Sequence, residues 1–257
     1  MDQWTTFPHA GDYEFDAASL KKSWARLHQA DCEPLPEEAG VLQAWVLFHN
    51  GEFQKAAEAG IQTGGHGITV ANKATSVHAN YLETREKTKL ELFMEVAERA
   101  EAQQVADPKN ANAFYWQAYA LGRYGQGISV AKALIQGLGS KVKHALEQAI
   151  ELSPRHADAH IALASFHAEM IDKVGSLVGG MTYGVKKDTG LSLYKSALSL
   201  NPGSAIGMIE YANGMVMLEG ENKMNEATRL YQNAAASQPL DATERLDVEM
   251  AKAELED

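Results

Sequence analysis

The stretch most able to do chemistry is a run of histidines. His156 and His160 stand four residues apart, with Asp158, His167 and Glu169 close by. On a helix that spacing puts both imidazoles on one face, as a zinc site can use. Packing or capping histidines would read the same way. Other candidates are weaker. Cys32 lies in Asp31-Cys32-Glu33-Pro34, where flanking acids oppose the thiolate a nucleophile needs. Glu37-Glu38 fits a solvated helix start better than an acid/base pair. There is no Gly-x-Ser-x-Gly elbow. Thr63-Gly64-Gly65-His66-Gly67 is glycine-rich, but no Lys-Ser/Thr follows to make it a phosphate loop. The expectation is a protein that is not an enzyme, with no catalytic residues, no metal and no cofactor.

The totals narrow the partners. A net charge of −11, with no basic run longer than Lys21-Lys22 or Lys186-Lys187, argues against nucleic acid. A single cysteine allows neither an internal disulfide nor a cysteine-built zinc site. The first residues lack the basic and apolar regions of a signal peptide, and no apolar window is long enough to span a membrane. A cytoplasmic location is expected. At 45% hydrophobic and 22% charged, the composition is that of a folded chain.

The elements that must position these residues are punctuated by proline. Ala149, Ala197 and Ala234 each stand five residues before Pro154, Pro202 and Pro239, and Leu146, Tyr194 and Tyr231 stand eight before. Proline lacks an N–H and fixes its own φ, so it ends one helix and starts the next turn. The alanine permits close approach between helices, and the larger residue fills the gap beside it. After Pro154 follows Ala157-x-Ala159-His160-x-x-Leu163-Ala164. This pattern resembles the tetratricopeptide repeat (TPR) family, whose unit is a helix pair of about 34 residues. Leu121-Gly-Arg-Tyr-Gly-Gln-Gly127, together with Ile171-Asp-Lys-Val-Gly175 and Gly179-Gly-Met-Thr-Tyr-Gly184, is similar to bacterial TPR proteins, including the subunits associated with TRAP-type solute transporters.

The resemblance implies an all-α, right-handed solenoid of about five helix pairs. One domain over 1–257 is expected, divided into an N-terminal arm and capping helix (1–36), repeats (37–236) and a C-terminal capping helix (237–257). Asp16 should cap a first helix carrying Leu20, Trp24 and Leu27. Residues 37–63 read as a pair turning at Gly51, and 68–82 with 87–106 as the most diverged pair, because Gln103 replaces the alanine before Pro108. Asp241-x-x-Glu244 reads as a capping box opening the last helix. In the repeat frame His160 and His167 fall where the family packs aromatic residues, and His156 falls in a turn.

Pro108, Pro154, Pro202 and Pro239 are 46, 48 and 37 residues apart. Against the family unit of about 34, the first two spacings hold insertions between helix A and helix B. These are 125–140 and 174–190. Both are apolar, the first through Ile128, Val130, Leu134, Ile135 and Leu138, the second through Leu177, Val178, Met181, Tyr183 and Val185. They could cover one another, form a cleft, or join two copies of the chain.

The resemblance also implies a concave face lined by fixed helix-A positions. These fall on Asn112, Tyr115, Tyr119 and Arg123, then Asp158, Ile161, Ser165 and Glu169, then Ile209 and Asn213. The lysines of the family's chaperone-tail receptors are missing there. The expected function is a scaffold that holds an apolar peptide or helix of a partner in this groove. The alternative is a small hydrophobic ligand-binding or transport-accessory protein using a cleft between the insertions.

Overall fold

The computed structural model describes residues 3–256, apart from the side chain of Leu134, which therefore lies outside the described residues. Among these residues every regular element is a helix. The chain divides into two compact units, one built from residues 3–28, 33–152 and 240–243, the other from 29–32, 153–239 and 244–256.

The first unit opens with an arm, residues 3–15, followed by α1 (Ala17–Leu27). Asp16 caps α1 as expected: its carboxylate accepts the Ser19 and Ala18 N–H groups at 2.7 and 3.0 Å, and Ser19 Oγ accepts the Asp16 N–H. Leu20, Trp24 and Leu27 form the buried stripe. Three helix pairs follow. α2 (Ala39–His49) pairs with α3 (Phe53–Thr63) across Gly51, whose φ of +82° is one that glycine adopts without strain. α4 (Gly67–Val77) pairs with α5 (Glu86–Ala106), and α6 (Ala111–Gln126) with α8 (Leu138–Leu152); the short α7 (Val130–Ile135) lies between the last two.

The diverged pair α4–α5 is held by polar groups. Gln103, standing where the repeat pattern wants alanine, is buried and donates to Thr69 Oγ1 at 2.9 Å. Arg99 donates to Asn72 Oδ1 at 2.6 Å and to Thr75 Oγ1 at 3.0 Å. Buried polar groups are stable only when satisfied in this way. α4 ends in a π-helical turn, His78–Leu82. The His78 ring is 1% exposed and stacks on Trp4 of the arm at a centroid distance of 4.3 Å. Neither of its nitrogens has a hydrogen-bond partner among the described residues. Burial holds its pKa down at about 4, with Glu83 pulling it up and Arg85 pushing it further down.

Asp241, expected as a helix cap, reaches much further than its own turn. Its Oδ2 lies 2.6 Å from His49 Nδ1, and His49 Nε2 lies 3.2 Å from His28 Nε2. All three side chains are buried.

The second unit holds α9 (Ala157–Val174), α10 (Ser176–Tyr183) and α11 (Lys187–Leu200), then α12 (Ala205–Glu219) with α13 (Met224–Ala235), and α14 (Ala242–Glu256). α9 pairs with α11 and α12 with α13, which brings the total among the described residues to the five pairs expected. Ala197 and Ala234 before the prolines are both buried. Tyr194, in the slot for a large residue, is 1% exposed and stacks on Tyr211 at 5.2 Å. It fits because position 214 is glycine: a Cβ there would stand 2.3 Å from the Tyr194 hydroxyl and 2.5 Å from two of its ring carbons. Ile209, Ala234, Val248 and Ala251 form a cluster that holds α14 onto this pair.

Both insertions are helical. α6 continues to Gln126 and α9 to Val174, so the added segments are 127–137 and 175–186, each with one short helix. Leu138 and Val185 are buried. Val130, Ile135, Leu177, Val178 and Met181 are exposed.

Candidate partner-binding surface

The histidines serve structure. His156 caps α9, its Nδ1 accepting the Ala159 N–H at 3.1 Å. His160 Nε2 lies 3.0 Å from the Pro154 carbonyl oxygen and so ties the helix back to its own turn. His167 Nδ1 accepts the Lys186 N–H at 2.8 Å and fixes the exit of the second insertion. No group of three or more His, Cys, Asp or Glu among the described residues could hold a metal ion. Cys32 sits at a φ of 51°; desolvation, with Asp31 adding to it, pushes its thiol up, against a hydrogen bond with Ser153. Glu37 and Glu38 are both exposed just ahead of α2.

The ten helix-A positions divide by burial. In the first unit Asn112 is buried and donates to Glu33 Oε2 at 2.6 Å. Tyr115 is also buried, edge-on to Trp116 at 4.8 Å. Tyr119 and Arg123 remain half-buried at the surface. The guanidinium lies 5.2 Å from the Tyr119 ring centroid, a cation–π distance, and donates to Gln126 Oε1 at 3.2 Å. Phe93 and Trp116 back the same ring edge-on at 6.4 and 5.4 Å. Tyr119 is therefore a braced aromatic shelf with a cation over it.

In the second unit Ile161 and Ile209 are core residues, the first packed with Ala164, Tyr194 and Ala197. Asp158, Ser165 and Glu169 are half-buried and Asn213 is exposed. Ser165 Oγ donates to Glu210 Oε2 at 3.0 Å and lies 2.8 Å from the Tyr194 hydroxyl. Burial, and Glu210 after it, push the Tyr194 hydroxyl far above its ordinary range, so it stays neutral and donates to Ser165. Glu169 pairs with Lys173 at 3.0 Å, and Asn213 Oδ1 accepts the Tyr231 hydroxyl at 2.7 Å. Sequence reasoning missed Glu210 and the link to Tyr194. Glu210 follows the core residue Ile209, and only the neighbouring helix reveals that it turns toward Ser165.

The geometry matches known repeats. A family model described as regulator of microtubule dynamics protein 1-3 matches residues 67–173, fewer than half of the 257. No curated protein matches the sequence. The crystal structure of TTC0263, a thermophilic TPR protein of Thermus thermophilus, superposes with a TM-score of 0.58 at 16% identity, over 85% of this chain and 100% of that one. MamA gives a TM-score of 0.43 at 17% identity, over 86% of this chain and 99% of that one. YrrB, a TPR protein with an unusual peptide-binding site, gives 0.42 at 16% identity, over 92% and 100%. With its five helix pairs and the likeness to TTC0263, the chain has the fold of a tetratricopeptide-repeat protein.

Proposed function

We propose that this chain is a non-catalytic scaffold that holds a segment of a partner protein against its helix-A faces. The observation that carries the reading is the Tyr119–Arg123 shelf on α6. Braced aromatics and arginines are the side chains that contribute most at protein interfaces, because they bury much surface while losing little freedom. The guanidinium lies 5.2 Å from the ring centroid, and Phe93 and Trp116 fix the ring from behind. An apolar or aromatic side chain of the partner would pack against the Tyr119–Arg123 pair. The TPR fold supports this reading, since stacked helix pairs present a surface and not a reaction centre.

The test is affinity capture from lysate with the purified chain and with Tyr119→Ala and Arg123→Ala. Each variant should recover specific partners at least tenfold less well while keeping wild-type thermal stability to within a few degrees. Unchanged recovery with both variants would overturn the assignment.

A further inference from the structure

α10 is mounted inside out. Its sequence is Ser-Leu-Val-Gly-Gly-Met-Thr-Tyr. The inward face carries Gly179, where a Cβ would stand 2.8 Å from Val185 Cγ2 and 3.5 Å from the Met170 carbonyl oxygen. Tyr183 secures the end of the helix, edge-on to Phe166 at 6.1 Å. The large apolar residues point the other way: Leu177, Val178 and Met181 are 75%, 54% and 82% exposed. At about 100° per residue these three positions share an arc of roughly 100°. Surface helices of soluble domains carry the reverse arrangement, and a concentrated exposed apolar face marks an interaction site.

The charges around the helix indicate what it meets. Between Asp172 and Asp188 the chain carries Lys173, Lys186 and Lys187 and no acid, in a protein of net charge −11. The lysines stand at both ends of the apolar face. Lys173 bonds to Glu169 at 3.0 Å, Lys187 lies 3.5 Å from Glu219, and Lys186 is exposed. A helix bound in a protein groove offers anchors over two or more turns. α10 offers them at i, i+1 and i+4 only. A short apolar tip between cations matches the interface of a bilayer, where lysines reach the phosphate level.

We propose that α10 is a shallow anchor that docks the chain on an anionic lipid surface. Leu177, Val178 and Met181 enter the acyl boundary, and Lys186, which unlike Lys173 and Lys187 is not paired with an acid among the described residues, meets a lipid phosphate. No helix among the described residues is long and apolar enough to cross a membrane, so the attachment is peripheral. Neither signal alone holds a protein on a bilayer; the two together do so reversibly. The anchor shares no residue with the α6 shelf, so each reading stands or falls on its own variants.

The experiment is flotation of the intact chain with vesicles of phosphatidylcholine alone and of equal parts phosphatidylcholine and phosphatidylglycerol. The protein should float with the anionic vesicles, not with the neutral ones, and less at high salt. The Leu177→Asp, Met181→Asp double variant should lose at least tenfold of the bound fraction. Lys186→Gln should lose about fivefold, the effect of one lysine near such a surface. Circular dichroism checks the fold, and Leu177→Gln with Met181→Gln replaces the double variant if that one misfolds. No flotation, or flotation that survives the α10 substitutions, overturns the proposal. So does light scattering that shows a wild-type dimer split by the α10 substitutions without vesicle binding, which would make a second copy the occupant.

Discussion

Gly214→Ala gives the sharpest test of how the second unit is packed. Ala is the better helix former, by about 1 kcal/mol, so on propensity alone the change should stabilise α12. The structure argues the opposite. The new Cβ would lie 2.3 Å from the Tyr194 hydroxyl and 2.5 Å from two ring carbons, whereas ordinary carbon contacts begin near ~3.5 Å. The ring must withdraw by about 1 Å to restore that spacing, and it has nowhere to go. It is 1% exposed, stacks on Tyr211 at 5.2 Å, and its hydroxyl lies 2.8 Å from Ser165 Oγ. Overpacking a closed site costs about 1–3 kcal/mol, and this geometry belongs at the top of that range. Net of the propensity gain, the loss is about 2 kcal/mol, or roughly 4–8 °C in melting temperature for a chain of this size. Urea unfolding followed by far-ultraviolet circular dichroism measures it, because the helices of the second unit contribute to that signal whereas the four tryptophans, at 4, 24, 45 and 116, all lie in the first unit. Tyr194→Leu in the Gly214→Ala background should recover part of the loss, giving a coupling above about 1 kcal/mol. If Gly214→Ala is as stable as wild type or more so, the packing argument fails.

Two further outcomes follow from groups in the first unit. The His78 pKa is held at about 4 in the folded state, against 6.5 for an ordinary histidine. The unfolded chain therefore takes up the proton first. The contribution is fully present above pH 6.5 and is lost as pH falls toward 4, a loss of about 3 kcal/mol. Denaturation midpoints between about pH 7.5 and 4.5 should fall for wild type and stay flatter for His78→Phe; parallel profiles would refute this. Gln103→Ala restores the residue that the repeat pattern favours, yet it leaves Thr69 Oγ1 without its 2.9 Å donor. It should destabilise by about 1–3 kcal/mol in the same urea assay, and a neutral or stabilising result would mean the pattern outweighs the network.

Local rules made much of the architecture legible. The alanines before proline, the Asp16 cap and the Gly51 turn each depend on residues within a few positions, and the helix pairs follow from them. The insertions were visible as excess length and apolar composition. Their helices were not, because α7 and α10 are short and the glycines that flank α7 and lie within α10 read as loop. The candidate surface was harder. Asn112 and Glu33 are 79 residues apart, and Ser165 and Glu210 are 45 apart. The repeat frame assigns a position to a face, but neighbouring helices decide whether that face stays open. Ile161 and Ile209 show the difference, since α11 packs on the first and α13 with α14 on the second.

The bond from Asp241 to His49 joins residues 192 positions apart. Repeat units of this kind rely on their neighbours and can form in the order they leave the ribosome. Here that order is broken at the first pair. While α2 is already folding, His49 lacks its carboxylate, and it must wait until 192 further residues have been made. A chain whose synthesis stalls before residue 241 therefore keeps His49 in its first pair without this carboxylate.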